Sequence, residues 1–317
     1  MFFGSKPMKK IYQNRDLRLL VTQKCCYQCL FCHGEGLQST KNDGLDANDF
    51  GYLFEVGKKN FGIETVTLTG GEPLVRKDIF AIASALKDQG ARITLTTNGM
   101  LLEENLKIGE YLEKVNISFH VANKEKYEKI VARKDSYDKA LRGIKLLREN
   151  YPNLKIVINS ACVKGLNYSK QELINLIKFA ENINASIKLV ELFPPHSKGY
   201  ISLDDVGVAI TKLGFKKLDT EVRKLNYSNG KIKISLTRIF CAMAMESDNP
   251  GKFCNQNNDL FVSPDGQIKP CRNNPYEFNV LNEIRNRDEK ALIDKIEQSF
   301  IFLGQDCDKF IHKYFTK

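Results

Sequence analysis

The feature of this 317-residue chain that most restricts its fold is a rhythm: short apolar runs alternate with amphipathic stretches through its first two-thirds. Strands are expected at 17–22, 64–69, 92–97, 114–119, 154–160 and 186–192. Between them, helical periodicity predicts helices near 46–59, 77–88, 103–112, 123–149 (as one segment or two) and 169–182. Such alternation is the βαβ pattern of a parallel sheet, whose strands are expected to be buried on both faces. Six such units predict an α/β fold, a partial (β/α)6 TIM-like barrel, open or partly closed. In barrels of this kind the loops after the C-terminal strand edges carry the chemistry.

After about residue 195 the rhythm changes, through Pro194, Pro195 and a helix expected at 202–213. Short alternating segments follow at 222–227, 231–236, 258–263 and 267–270, joined by the turn signals Ser228-Asn229-Gly230 and Pro264-Asp265-Gly266. A charged helix is expected around 285–300. The expected division is a barrel over 15–200 and a smaller, hairpin-bearing cysteine region over 201–317.

Composition excludes several classes of function. No run approaches the roughly 20 apolar residues of a membrane span, and Met1 to Lys10 lacks the apolar stretch of a signal peptide, so a cytoplasmic protein is expected. Lys and Arg total 48 against 38 Asp and Glu, a net charge of +10, but the basic residues are scattered. That pattern reads as a solvated surface rather than a nucleic-acid-binding arm. Nine cysteines in a chain expected to stay reduced point to ligation or catalysis rather than a disulfide framework. Cys25, Cys26, Cys29 and Cys32 crowd near the start, Cys241, Cys254, Cys271 and Cys307 lie in the last quarter, and Cys162 stands alone.

Cys25, Cys29 and Cys32 form a C-x3-C-x2-C loop directly after an expected strand. Three thiolates on one loop can hold three irons of a 4Fe-4S cube and leave the fourth open to another ligand. A structural zinc loop is the alternative and would need a fourth ligand, for which His33 is near enough in sequence.

These residues resemble the signature of radical S-adenosylmethionine (radical SAM) enzymes, C-x3-C-x-aromatic-C, with Phe31 as the aromatic. The resemblance is greatest to the subgroup containing the GTP 3',8-cyclase of molybdenum cofactor biosynthesis. It is carried by Arg15 to Thr22, Leu68-Thr69-Gly70-Gly71-Glu72-Pro73-Leu74, Leu95 to Leu102, and Val115-Asn116-Ile117-Ser118, in order from about residue 15 to 195. It implies that S-adenosylmethionine binds the open iron and is cleaved by one electron to a 5'-deoxyadenosyl radical, which abstracts hydrogen from the substrate. It further implies that Gly70, Gly71, Glu72 and Pro73 meet the methionine moiety, with Glu72 accepting from its ammonium. Thr97, Asn98, Ser118 and Asn159 would hold the carboxylate and ribose, and Phe31 would pack near the adenine. Cys26, where the subgroup carries Asn, is expected to be a buried free thiol and not a ligand. His120, where relatives carry an acidic residue, is a proton-transfer group or a loop histidine.

The segment from Phe253 to Cys271 resembles the auxiliary-cluster hairpin of the subgroup, of the twitch or SPASM kind, but Asn257 stands where the middle cysteine belongs. Two readings stay open. Cys241, Cys254, Cys271 and Cys307 hold a second 4Fe-4S cluster, or that cluster is lost and one thiol donates hydrogen. The subgroup's phosphate-clamping basic residues fall on Thr65, Thr67, Asp259 and Phe261, while Arg18, Lys164 and Lys188 still match basic positions. The expected substrate is therefore a small polar molecule such as a phosphate or carboxylate compound, converted by C–C bond formation, dehydrogenation or epimerisation. GTP 3',8-cyclisation and SPASM-type peptide maturation are the alternatives within the family, and a non-catalytic iron-sulfur or zinc protein is the alternative outside it. The expected partner is an external electron donor such as flavodoxin or ferredoxin, with no membrane or nucleic acid.

Overall fold

The computed structural model describes residues 15–32, 43–192, 198–248, 251–254, 256–257 and 259–304. Its contacts group the chain into two units, one of residues 1–24, 34–94 and 255–310, the other of residues 25–33, 95–254 and 311–317.

In the first unit the chain runs β1 (Asp16–Thr22), α1 (Ala47–Phe61), β2 (Thr65–Gly70), α2 (Ile79–Asp88) and the start of β3 (Arg92–Thr97). β1 lies parallel to β2. Helix α1 starts where a capping box predicts: Asp46 accepts from Asp49 N–H at 2.9 Å and Asp49 accepts back from Asp46 N–H. It stops at Gly62, which takes the left-handed conformation at φ 66°. The late residues 259–304 return to this unit.

In the second unit the chain continues through β4 (Leu112–Ser118), α3 (Lys124–Val131), α4 (Ser136–Asn150), β5 (Lys155–Ala161), α5 (Lys170–Asn182) and β6 (Ser186–Val190). α6 (Leu203–Lys212), β7 (Lys216–Glu221), β8 (Lys224–Ser228), β9 (Lys233–Thr237), α7 (Phe240–Met245) and α8 (Gly251–Cys254) follow. β4, β5, β6 and β9 lie side by side in parallel, and β9, β8 and β7 continue as an antiparallel meander. Thus β9 joins the parallel sheet beside β6. Helix α5 illustrates how each crossover forms: Ser169 caps it through Glu172 N–H at 3.2 Å, and Leu173, Leu176, Ile177 and Ala180 bury one stripe at helical spacing.

The returning segment supplies β10 (Asp259–Val262), β11 (Gln267–Lys269), β12 (Phe278–Asn279), α9 (Leu281–Arg285) and α10 (Glu289–Ile301) to the first unit. β10 docks parallel on the free edge of β1, and β11 pairs back on β10 as the Pro264-Asp265-Gly266 turn predicts.

All six expected strands form, each within two residues of its expected limits. Three details differ from the reading of the sequence. Residues 103–111 form a 3-10 helix kinked at Asn105, whose side-chain amide donates to Leu101 O and so competes with helical pairing. β7 has no apolar alternation and is exposed throughout, which is why periodicity gave no sign of it. The parallel strands β4, β5, β6 and β9 of the second unit are buried mainly on one face. Val115, Ile117, Ile156, Ile158, Ile187, Leu189, Ile234 and Leu236 are buried, while Asn116, Ser118, Asn159, Lys188 and Ser235 on the other face stay half-buried. Each buried side chain contributes roughly 1.5–3 kcal/mol, so the apolar face holds the sheet and the polar face is left for chemistry.

Candidate functional site

The cysteine loop follows β1 in sequence and belongs to the second unit. Gln28 N–H donates to Val131 O at 3.1 Å and Leu30 N–H to Ile130 O at 3.0 Å, a short backbone ladder to the end of α3. Tyr27 and Tyr127 anchor it below, edge to face at 6.4 Å with their hydroxyls 3.3 Å apart. The loop is therefore fixed in place, with Cys25 and Cys32 exposed and Cys29 half-buried. Burial, then the nearby Cys32 and Cys25 sulfurs, push the Cys29 thiol up to about 12. A hydrogen bond with Cys26, then burial, raises Cys25 as well. Sulfurs crowded on one loop, with burial holding Cys29 protonated, are a donor set that positive iron stabilises as thiolates. No three His, Cys, Asp or Glu side chains among the described residues are arranged to chelate a single ion.

Asn98, expected at the cofactor's carboxylate and ribose, is drawn to this loop. Its Oδ1 accepts from Met100 N–H at 3.0 Å, which orients the amide so that Nδ2 points at Cys26 Sγ at 3.3 Å and Cys25 Sγ at 3.9 Å. Thr97 is buried, and its Oγ1 accepts from Gly99 N–H at 3.1 Å, holding the turn that presents Asn98. Cys26, expected to be a buried free thiol, is a free cysteine but only half-buried, and its sulfur meets the Asn98 amide.

Ser118 and Asn159 are direct neighbours in register, followed across the sheet by Lys188 and Ser235. This polar row lies toward the C-terminal ends of parallel strands, where loops gather the chemistry of such folds. Among the described residues, Asn159 Oδ1 and Ser235 Oγ are buried atoms with no hydrogen-bond partner. Buried acceptors are rarely left so without a ligand or water to serve them, and donors such as ribose hydroxyls fit them. Beside the row, Phe31 packs edge-on against His120 with ring centroids 4.9 Å apart. His120 Nδ1 accepts from Ala161 N–H at 3.3 Å, which leaves Nε2 as the N–H, and burial lowers the residue to about 4. It is held neutral.

In the first unit, the Gly70-Gly71-Glu72-Pro73 motif closes β2 against the segment that leads out of β1. Gly71 N–H donates to Thr22 O and Glu72 N–H to Lys24 O, each at 2.8 Å. A Cβ on Gly70 would meet Thr22 O at 2.2 Å, and one on Gly71 would meet Lys24 O at 2.3 Å, so both positions require glycine. Glu72 is fully buried, and its Oε1 accepts from Leu74 N–H at 3.1 Å, capping the turn that Pro73 begins. Arg76 then clamps the motif to Val21 O and Leu45 O.

The same unit holds the positions where the resemblance lacks basic residues. Thr67 Oγ1 donates to Asp16 at 2.6 Å, and burial raises the Asp16 carboxyl. Arg18 lies 5.4 Å from the ring centroid of its register partner Phe261, and Arg272 lies 5.8 Å from it. Sequence reading missed Arg272, although it directly follows Cys271. Asn257 ties the foot of the hairpin together, Nδ2 donating to Pro270 O at 3.3 Å. Cys271 follows β11 in this unit. In the second unit, Cys241 lies on α7 and Cys254 ends α8. Cys307 lies outside the described residues.

Comparison with known proteins identifies the superfamily of the chain. Residues 19–177 match the Radical SAM superfamily. A protein from Pyrobaculum aerophilum named probable GTP 3',8-cyclase is 29% identical over 88% of this chain and 90% of its own length. One of the same name from Saccharolobus islandicus is 32% identical over 81% of this chain and 82% of its own. Among solved structures, Streptococcus suis SuiB bound to S-adenosylmethionine matches with a TM-score of 0.63 and 17% identity over 86% of this chain. The chain spans 64% of SuiB. Native anSMEcpe with bound AdoMet matches with a TM-score of 0.58 and 14% identity, over 90% of this chain and 83% of that one. These two likenesses concern the fold, and they bear out the partial-barrel expectation. Among the described residues, no helix is long and apolar enough to cross a membrane.

Proposed function

Because the chain belongs to the radical SAM superfamily, we propose that it abstracts hydrogen from a small anionic substrate, with GTP 3',8-cyclisation the reaction its relatives favour. It is a radical SAM enzyme, and its cofactors are a 4Fe-4S cluster and S-adenosylmethionine. When bound, these supply a one-electron cleavage that yields a 5'-deoxyadenosyl radical, chemistry that is the cofactors' own. The protein's part is to hold, orient and exclude water.

In this reading Cys25, Cys29 and Cys32 hold three irons, and Asn98 supports the loop through Cys26. Glu72 accepts from the methionine ammonium, and Gly70 and Gly71 bring the backbone close. Ser118 and the unsatisfied Asn159 Oδ1 take the ribose hydroxyls, Phe31 lies along the adenine, and His120 holds that ring. Cys241, Cys254, Cys271 and Cys307 form the second 4Fe-4S site, fed by an external one-electron donor. The barrel over 15–200 carries the radical step and the region 201–317 the auxiliary cluster.

The observation that carries the GTP reading is identity of 32% over four-fifths of the chain with a protein named for that reaction. Cyclisation removes hydrogen from C3', joins C3' to C8, and then takes up one electron and one proton, so the product is an isomer of GTP. Anaerobic turnover with dithionite, S-adenosylmethionine and GTP tests this. GTP should stimulate 5'-deoxyadenosine formation and yield a nucleotide of unchanged mass. A second reading, a substrate with one phosphate or carboxylate, is favoured by Thr67 and Asp259 where the triphosphate clamp would need cations. Arg18 and Arg272 beside Phe261 suit a single anionic group. Deoxyadenosine formation indifferent to GTP selects that reading.

A further inference from the structure

We propose that the groove between α4 and α5, in the second unit, is a docking site for an amphipathic helix of a partner protein whose polar flanks carry carboxylates. The proposal does not depend on how the cysteines hold iron.

Helices α4 and α5 each carry two stripes at helical spacing. One stripe serves the fold: Ala140, Ile144 and Leu147 on α4, and Leu173, Leu176, Ile177 and Ala180 on α5, are buried. The other lines a groove of about 700 Å³, with Tyr137, Leu141 and Lys145 on α4 and Asn175, Lys178 and Phe179 on α5. Tyr137, Leu141 and Phe179 are only half-buried, so apolar surface is left facing water. Phe119 packs against both rings, 4.7 Å from Phe179 and 5.5 Å from Tyr137 between centroids, so the apolar floor is backed by the core.

Arg148 closes the foot of the groove. Its Nε donates to Ile183 O at 2.8 Å, Nη1 to Pro152 O at 2.6 Å and Nη2 to Asn184 O at 3.1 Å. These bonds tie the end of α4 to the end of α5 and set the width of the groove before anything binds, which lowers the ordering cost of an occupant. All three acceptors are neutral carbonyls, so no carboxylate cancels the guanidinium charge. Lys145 and Lys178 are exposed and make no ion pair with any described residue. Among the described lining residues Glu149 is the one carboxylate, so three cations face one anion. An apolar floor between two helices, edged by surplus positive charge, fits the apolar face and acidic flanks of a third helix. At the α-helical rise, the wall from Tyr137 to Glu149 is about 18 Å long and matches a helix of about twelve residues.

The test uses the full-length protein and a fluorescent peptide of about fourteen residues, with Leu at i, i+4 and i+7 and Glu on both flanks; its counterpart carries Lys in place of Glu. The acidic peptide should bind about tenfold tighter than the basic one at low salt, and lose that advantage as salt rises. Lys145→Glu/Lys178→Glu, at two exposed positions remote from every cofactor residue, should reverse the preference between the peptides while leaving 5'-deoxyadenosine formation and the urea midpoint unchanged. Leu141→Asp should weaken both peptides. Equal binding of the two peptides, or undiminished binding of the acidic one by the charge-reversed variant, overturns the proposal. So does displacement of the peptide by oligothymidylate at equal concentration, which would make the groove a nucleic-acid site. Dimerisation in sedimentation that the charge-reversed variant abolishes would give the groove to a second copy of this chain and likewise overturn it.

Discussion

Gly71→Ala isolates one steric demand of the site. The added Cβ would lie 2.3 Å from Lys24 O, 2.5 Å from Gln23 O and 2.7 Å from Lys24 C. All three are backbone atoms and cannot rotate away. Reaching ordinary contact requires the two segments to separate by about 1 Å, which stretches the Gly71–Thr22 and Glu72–Lys24 hydrogen bonds beyond 3.5 Å from their present 2.8 Å. Losing two such bonds, with partly buried groups left unmet, costs about 2–4 kcal/mol. Gly62→Ala is the control, because Gly62 has φ 66° but nothing within 4 Å of its Cβ, so it loses only about 1 kcal/mol of backbone strain. Urea titration of the apoprotein reads both. Gly71→Ala should fall further than Gly62→Ala, and after reconstitution it should also bind S-adenosylmethionine more weakly, because Glu72 moves with its N–H anchor. If the two variants lose equal stability, the close approach is not rigid and the argument fails.

Three other outcomes are expected. Glu72→Gln keeps an oxygen for Leu74 N–H but removes the charge, so S-adenosylmethionine affinity in equilibrium dialysis should drop by about tenfold or more, with unfolding midpoint little changed; unchanged affinity removes Glu72 from the site. Iron and sulfide analysis should give about eight irons per chain, falling to about four when Cys25, Cys29 and Cys32 are all changed to Ala; about four falling to none would mean that no second 4Fe-4S cluster exists. His120 is held near 4 by burial while the unfolded chain returns it to 6.5, so the unfolded state binds the extra proton between those values. Apoprotein stability should therefore decline as pH falls from about 6.5 to 4, by of order 1–2 kcal/mol because the ring keeps a partly exposed edge, and His120→Asn should lack that component in urea titrations.

The parallel sheet was legible because its signals are local. An apolar run of strand length, a cap such as Ser169 and a stop such as Gly62 each act within one turn of the chain, so 17–22 or 186–192 can be read without knowing what lies beside them. The cysteine spacing and the Gly70-Gly71-Glu72-Pro73 motif were legible for the same reason: three ligands on one loop, or a backbone needing two glycines, leave their mark in consecutive residues. β7 was not legible, since an exposed hairpin arm with charges on both faces buries nothing that would impose a pattern.

Partnership between distant segments was decided by tertiary structure alone. Nothing in Lys233–Thr237 says that it will lie parallel to β6 rather than only in a hairpin, and nothing in Asp259–Val262 names β1 as its neighbour. Those choices depend on which sheet edge stays open once the earlier strands have paired. The same holds for the site. Asn98 turns to Cys26, Asn159 is left with an unanswered oxygen, and Arg18 meets Phe261 because folding brings together groups far apart in the chain. Sequence fixes what each short segment can be, through sterics and burial over a few residues; only the closed set of long-range pairings determines which side chains share a volume, and shared volume is what binds a substrate.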